Sequence, residues 1–569
     1  MKHKVVFFPS GKEALAREGE KLLSVAAKAD VGIFASCAGL GICRKCRVIL
    51  LEGEGGQLSD AEKKYLTKEE VLQGCRLACQ LKVHSDLTVF VPEKEKHSDR
   101  KKQINVLPQA MLEKLRLEAE QMPLPEIRDM AEETEINCEK VGQKYGISVD
   151  IGTTTVVTML WNLNTMSLLD TEAASNPQGA VGPDVISRIQ YAMEEKHNTD
   201  KLHGMIIDCI KRMITVMCQR NHIIKQSVCR MTVAGNTAMS HLFLGINPTG
   251  LACAPFTPGF RGGKRVSASD LRLNIYPKAA VWVLPNIDAH VGSDMTCVML
   301  FADVISSKDN LLIIDIGTNG EILVASDGQM KVCSTAAGPA FEGAAISHGM
   351  RAANGAIEKV RIVDDVELTV IGETEPAGIC GSGIIDLMAA LLEKGILKSN
   401  GNLLTKEEAL QAGVEETLAK RLRVSQGQKE FVLYYMEENE DIVITQKDIR
   451  EIQLAKGAVI GGIKTLMKSL SVTKDKLDKI MLAGAFGNYI RKESAIRIGL
   501  LPKVPEEKIL SLGNGAGAGA SMALLSEKMR KKAEETAKFA CHVELSKDTD
   551  FQNYYINGMN FPEKAEANN

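Results

Sequence analysis

The sequence has no apolar stretch reaching the ~18 uninterrupted residues of a membrane span. Its opening, MKHKVVFFPSGKEALAREGEKLL, has no apolar run of secretory-signal length. It has no charge excess: 69 Lys+Arg against 72 Asp+Glu leave −3, so nothing pulls it generally toward nucleic acid or an anionic membrane. It has no G-x4-G-K-[ST], hence no P-loop. A cytoplasmic protein is expected, with neither nucleic acid nor membrane as partner. That compartment keeps thiols reduced, which excludes a disulfide framework although 14 cysteines are present. Nine of them (Cys138, Cys209, Cys218, Cys229, Cys253, Cys297, Cys333, Cys380 and Cys541) lack ligand spacing and read as small buried hydrophobes. The remaining five, Cys37, Cys43, Cys46, Cys75 and Cys79, crowd together near the N-terminus.

Three of those five stand in CAGLGICRKC, residues 37–46, spaced C-x5-C-x2-C. Zinc sites are usually built from two short pairs or from Cys with His, and here there is one pair, one outlier and no histidine. A [2Fe–2S] cluster asks for three thiolates in a wrapping loop and a distant fourth. Gly39 and Gly41 suit such a loop, because glycine lets backbone N–H groups curl toward the sulfurs. The preceding segment reads as strand, turn at Pro9–Gly11, strand, and a helix with Leu22, Leu23, Ala26 and Ala27 on one face. RVILLEGE and LKVHSDLTVFVP supply later strands. Together these resemble the β-grasp domain of [2Fe–2S] ferredoxins, with the C-x5-C gap closer to the adrenodoxin branch than to the plant one. The resemblance implies an electron carrier with Cys37, Cys43, Cys46 and a fourth ligand in RLACQ, Cys79, with Cys75 as its rival.

At 569 residues the chain exceeds one hydrophobic core, and 45% hydrophobic with 25% charged residues is ordinary for a soluble multidomain protein. After Pro92 the charged EKEKHSDRKK reads as a solvated connector. A short amphipathic helix follows, broken by Pro123 and Pro125, so 93–143 is expected to be a linker with little fold of its own.

Two stretches then echo one another 165 positions apart: ISVDIGTTTVVTML from Ile147 and LIIDIGTNGEILVA from Leu312. Each predicts a hairpin whose tight turn exposes N–H groups and hydroxyls. Two such turns facing a cleft can clamp a nucleotide's phosphates while their aspartates hold Mg²⁺ through water. DKIMLAGAFGNYI (478–490) predicts a strand entering a glycine-rich turn. LGNGAGAGASMALLS (512–526) offers small residues that either admit an adenine ring or let helices pack closely. Asp184 and Glu321 are candidates to orient an attacking water, or are a helix N-cap and a surface carboxylate.

This ordered set resembles the acetate and sugar kinase/Hsp70/actin (ASKHA) superfamily. The resemblance implies phosphate-1 residues Asp150, Gly152, Thr153 and Thr154, phosphate-2 residues Asp315, Gly317, Thr318 and Asn319, and adenosine residues Gly484, Ala485 and Gly487. The expected fold is multidomain α/β. A ferredoxin-like domain (1–92) and the linker (93–143) precede a two-lobed ATPase, its middle domain at 144–305 and C-terminal domain at 306–569. Coupling ATP to electron transfer makes sense when the acceptor lies below the donor, each ~59 mV uphill costing about 1.4 kcal/mol per electron. Plant-type [2Fe–2S] centres sit near about −400 mV.

End to end, including STAAGPAFEGAAISHGMRAANGAI (334–357) and GICGSGIIDLMAALL (378–392), the chain resembles the reductive activators of corrinoid proteins. These reset Co(II) corrinoid to Co(I) in anaerobic methyl transfer. The likeness implies a [2Fe–2S] cluster, ATP and Mg²⁺ as cofactors, a corrinoid protein as partner, a ferredoxin, flavodoxin or reductase as donor, and a homodimer. DAHVG (288–292) lacks the spacing of a corrinoid-binding D-x-H-x-x-G, since Ser293 stands where glycine is required, so His290 reads as an ordinary loop residue. A 2-hydroxyacyl-CoA dehydratase activase would lack the N-terminal cluster domain. A nucleotide-gated chaperone or scaffold would need a peptide-binding domain after the clamp, where only residues 527–569 remain.

Overall fold

In a computed structural model of the chain the residues described are 2–8, 11–29, 31, 33, 46–91, 107–108, 111–113, 115, 144–317, 319–437, 440–487 and 489–563. The N-terminal part is a five-stranded mixed sheet in the order Lys12–Arg17, Lys2–Phe8, Leu87–Phe90, Arg47–Glu52, Cys75–Leu77. The first and last strands of this part, Lys2–Phe8 and Leu87–Phe90, run parallel at its centre, so the chain returns to clasp its own start. The helix Leu22–Lys28 covers one face with Leu22, Leu23 and Ala26, as the sequence predicts. Val25 joins them, while Ala27 is exposed.

Two six-stranded sheets follow, and their core topology is the same. The first runs Ser167–Ser175, Thr155–Asn162, Tyr145–Ile151, Val228–Gly235, Ala280–Val283, Lys264–Ser267. The second runs Ile509–Gly513, Lys479–Ala483, Leu311–Ile316, Gly320–Ser326, Gln329–Thr335, Ala540–His542. In each, an antiparallel meander of three strands is extended by two parallel strands beside the meander's first. The two Asp-Ile-Gly-Thr stretches are the equivalent first hairpins, so the sequence echo is a structural repeat.

The halves interlock through two helices that cross over. Ser293–Phe301 follows the first sheet, yet its Met295, Val298 and Met299 pack with Leu311, Ile313 and Leu323 of the second. Gly515–Leu525 follows the second sheet, yet its Ala518, Ala520 and Leu524 pack with Met159 and Trp161 of the first. The Ser521 hydroxyl is 2.8 Å from that of Ser148, and the Thr232 hydroxyl donates to Ala520 O at 2.7 Å. At Gly519 a small residue serves helix packing, one of the two sequence readings of 512–526: a Cβ there would stand 2.1 Å from Cys297 O. Gly519→Ala is expected to cost about 1–3 kcal/mol through overpacking, read as a lowered midpoint in denaturant unfolding.

Of the expected linker, only 107–108, 111–113 and 115 are among the described residues, and these contribute to this core. Leu107, Leu112 and Leu115 are buried against the cluster of Trp161, Leu163 and Leu524. Its apolar face found a partner that local sequence does not announce. No helix among the described residues is long and apolar enough to cross a membrane.

Candidate functional site

In the N-terminal domain the strand pairing sets Arg47 opposite Leu77, Val48 opposite Arg76 and Ile49 opposite Cys75. Continuing that register, Ala78 N–H donates to Cys46 O at 2.9 Å, and Cys79 follows immediately. Both Cys46 and Cys79 are buried, and the Gln80 side-chain amide donates to Cys79 Sγ at 3.6 Å. Cys75 instead sits opposite a residue three positions up the strand, about 10 Å along it. All three cysteines belong to the same hydrophobic cluster, and burial raises the Cys75 thiol pKa. The Cys75–Cys79 segment is anchored by a buried ion pair. Glu62 accepts from Arg76 Nε at 2.9 Å and from Leu77 N–H at 3.1 Å. Cys37 and Cys43 lie outside the described residues.

The second site lies where the two first hairpins and the two crossing helices converge. Asp150 ends the strand Tyr145–Ile151, and Asp315 occupies the equivalent place in Leu311–Ile316. Glu321 faces Asp315 across the hairpin, and Asp294 opens the helix Ser293–Phe301, accepting from Met295 N–H at 2.8 Å. Asn514, the N-cap of Gly515–Leu525, hydrogen-bonds Asp150. All four carboxylates are enclosed yet keep some solvent access. Burial, then the charges of Asp294 and Asp315, pushes Asp150 up to about 7. Burial and Asp294 push Asp315 up to about 7. Burial takes Asp294 to about 6, and Glu321 is raised well above the usual carboxylate range by burial and by both aspartates. Like charges gathered under one roof are what a divalent cation relieves.

The backbone around them leaves no room for larger residues. Gly484, at φ +83°, would place a Cβ 2.5 Å from Asp315 Oδ1, so the turn from the third motif closes directly on the second. Gly487 would meet Leu482 at 2.9 Å; the Ala485 side chain and Thr318 lie outside the described part. Gly152 N–H bonds Thr155 O at 3.0 Å, and Gly317 N–H bonds Asn319 O at 3.0 Å, closing two corresponding turns, the second one residue shorter.

The segments between the motifs brace the first turn. Asn176 donates to Gly152 O at 2.9 Å, Asn236 to the Thr153 hydroxyl at 3.1 Å, and buried Arg188 to Thr153 O at 2.5 Å. Thr154 donates to Glu342 Oε2 at 3.2 Å, joining the first hairpin to the 334–357 run. Asp184 N-caps Val185–Glu194, its Oδ1 accepting from Ser187 N–H at 2.8 Å.

Sequence reasoning missed Asp294, Asn514, Asn236, Arg188 and Glu342. The one signal was positional, since Asp294 and Asn514 each stand where a strand-and-turn segment enters a helix.

Residues 309–568 match the C-terminal ASKHA domain of RACo, residues 145–307 the RACo middle region, and residues 6–84 the 2Fe-2S iron-sulfur cluster binding domain. The corrinoid activation enzyme RamQ of Eubacterium limosum is 39% identical over 427 residues, 74% of this chain and 71% of RamQ. The chain belongs to the family of reductive activators of corrinoid proteins. A second family relative, the [Co(II) methylated amine-specific corrinoid protein] reductase of Methanosarcina barkeri, is 28% identical over 448 residues, 72% of this chain and 76% of the relative. The solved structure of a reductive activator for corrinoid, iron-sulfur protein matches with a TM-score of 0.68 at 30% identity, covering 99% of this chain and 98% of that one. Within the family's architecture, the cluster-binding match takes in Cys46 and Cys79, and the four carboxylates lie where the middle and ASKHA regions meet.

The raised carboxylates give the cleft a pH signature. A Mg²⁺ ion held by these carboxylates would bind them ionised, and would then displace protons from Asp150 and Asp315 below pH 7 and from Asp294 below pH 6. Lowering the pH from 8 to 6 is expected to weaken Mg²⁺ binding on the order of 100-fold, read by calorimetry. Without Mg²⁺ the stability trend runs the other way. The native state keeps protons that the unfolded chain releases above pH ~4, so stability falls as pH rises from about 4 to 7. Added Mg²⁺ should restore the thermal midpoint at pH 8 and do little at pH 5.

Proposed function

We propose that this chain uses MgATP to drive the one-electron reduction of a Co(II) corrinoid protein to Co(I), with the electron leaving from a [2Fe–2S] cluster in its N-terminal domain. The observation that carries the reading is the joining, in one polypeptide, of a cluster-binding domain to a four-carboxylate cleft between two repeated sheets. The names of the relatives, a corrinoid activation enzyme and a Co(II) corrinoid protein reductase, support it.

Cys37, Cys43, Cys46 and Cys79 would hold the cluster, which supplies a one-electron, low-potential donor. Burial of Cys46 and Cys79, and the amide directed at Cys79, fit thiolates kept from bulk water and tuned by hydrogen bonding. MgATP, when bound, supplies the free energy for the uphill step. Asp150, Asp315 and Asp294 would hold Mg²⁺, and Thr153 and Thr154 of the first turn and Thr318 and Asn319 of the second would face the phosphates, with the Gly152 and Gly317 N–H groups closing the turns. The close passage at Gly484 would bring the third motif, with Ala485 and Gly487, to the nucleoside. Glu321, opposite Asp315 across the hairpin, would orient an attacking water. Asp184 is not assigned this role, because its carboxylate caps a helix. Nucleotide in the cleft bears on both sheets through Thr154–Glu342 and the crossing helices, so its occupancy can bias their arrangement.

In this reading the ferredoxin-like domain ends near 92, the linker spans 93–143, and the lobes divide near 305. The donor is a ferredoxin, flavodoxin or reductase, the compartment is the cytoplasm, and the assembly is a homodimer. The test mixes anaerobic protein, a low-potential reductant, MgATP and a Co(II) corrinoid protein, and follows the Co(I) absorption. Co(I) should accumulate; its failure to form with several corrinoid proteins would overturn the reading.

A further inference from the structure

Outside the cleft, the loop at 286–292 meets the chain just after the strand Ala540–His542, and the junction gathers His290, His542 and Glu544. One ligating atom of each lies within 4.8 Å of the others. The second polar atom of each is already held. His290 Nε2 is 3.2 Å from Leu251 O, which can only accept, so Nε2 carries the proton and Nδ1 keeps its lone pair. His290 Nδ1 stands 3.9 Å from Glu544 Oε2. His542 Nδ1 is 3.1 Å from Asp288 Oδ2, another acceptor, which leaves the lone pair on Nε2. Asp288 is itself fixed by Arg261 at 2.8 Å and by Ala289 N–H at 2.9 Å. Glu544 Oε1 accepts from the Ser546 hydroxyl at 2.9 Å, leaving Oε2.

Each of the three side chains thus keeps one polar atom that these partners do not take up, and one ligating atom of each lies within 4.8 Å of the others. Acceptors collected in this way call for a cation. An outer carboxylate or carbonyl on each imidazole N–H is the arrangement that orients histidine toward a metal. We propose that His290, His542 and Glu544 bind a divalent transition-metal ion of the zinc class, tying the middle region to the C-terminal region. The donor set, two nitrogens and one oxygen, suits Zn²⁺ and leaves a fourth position for water. His290 and Glu544 are 34% and 27% exposed, which gives the ion an entry path, while His542 is 11% exposed. Tetrahedral ligation needs donors about 3.4 Å apart, so the site closes on the ion by side-chain rotation of about an ångström. None of its ligands belongs to the carboxylate cleft, and the proposal does not depend on the corrinoid reading.

The test is equilibrium dialysis of full-length, cluster-loaded protein against Zn²⁺ without nucleotide, with the paramagnetic cluster signal and circular dichroism as controls for folding. Wild type should bind one zinc more per chain than His290→Ala or His542→Ala. Asp288→Asn, which removes an orienting partner and no ligand, should weaken that zinc about 10–100-fold. X-ray absorption at the zinc edge should show imidazole and oxygen scatterers without sulfur. If His542→Ala does not fold, the more exposed His290→Ala decides the question. Equal zinc uptake by wild type and His290→Ala, or sulfur in the zinc shell, would overturn the proposal and leave a protonated His290–Glu544 ion pair as the reading.

Discussion

Cys79→Ala is expected to remove the [2Fe–2S] absorption and paramagnetic signal and, with them, all ATP-dependent corrinoid reduction, while nucleotide binding survives. Cys75→Ala is expected to keep both. The two thiols are four residues apart in one segment, and sequence spacing alone leaves either as the fourth ligand. The strand register separates them. With Ile49 opposite Cys75, and Ala78 bonded to Cys46 O, Cys79 is carried to the end of the sheet where Cys46 stands. Cys75 is held opposite Ile49, three residues along the strand from Cys46. Iron content and the paramagnetic signal of the two variants decide it. A full cluster in Cys79→Ala, or its loss in Cys75→Ala, would reverse the assignment.

Asp315→Asn is expected to leave the cluster intact and to slow ATP-dependent reduction on the order of 100-fold or more, the scale at which one electrostatic group is lost from a preorganised site. The same substitution should raise stability in the absence of Mg²⁺. It removes one negative charge from a set in which burial and Asp294 already push Asp315 up to about 7. A variant that is slower but harder to melt separates a functional carboxylate from a structural one, since loss of a structural ion pair would lower both. Asp294→Asn should behave alike, because Asp294 raises Asp150, Asp315 and Glu321 together. Unchanged turnover in either variant would remove that residue from the nucleotide step.

What the sequence made legible was local. The Asp-Ile-Gly-Thr hairpins at 150 and 315, the strand running into Gly484 and the clustered cysteines are short-range patterns, and the repeat at 165 positions announced two equivalent halves. What it hid depends on chain crossing. Asp294 reads as an unremarked helix start until the strands carrying Asp150 and Asp315 are brought beside it. The stripe of small residues from Gly515 admits two readings, and only the neighbouring helix, with Cys297 O against Gly519, selects packing at that residue. Leu107, Leu112 and Leu115 occupy a stretch whose charge and prolines indicate a connector, and their burial depends on Trp161 and Leu524, distant in sequence. His290 failed a motif test and so looked ordinary, while its partners His542 and Glu544 stand some 250 residues away, a separation at which spacing arguments carry nothing.

The account stands or falls on coupling between the two modules. The direct measurement is the rate of Co(I) formation with and without MgATP, at donor potentials poised stepwise through the region near about −400 mV. The account predicts that the rate without nucleotide collapses as the donor becomes less reducing, while the rate with MgATP persists, so the ratio widens with each step. Equal rates with and without nucleotide across the series would show that the cleft does not drive electron delivery, and would contradict the account.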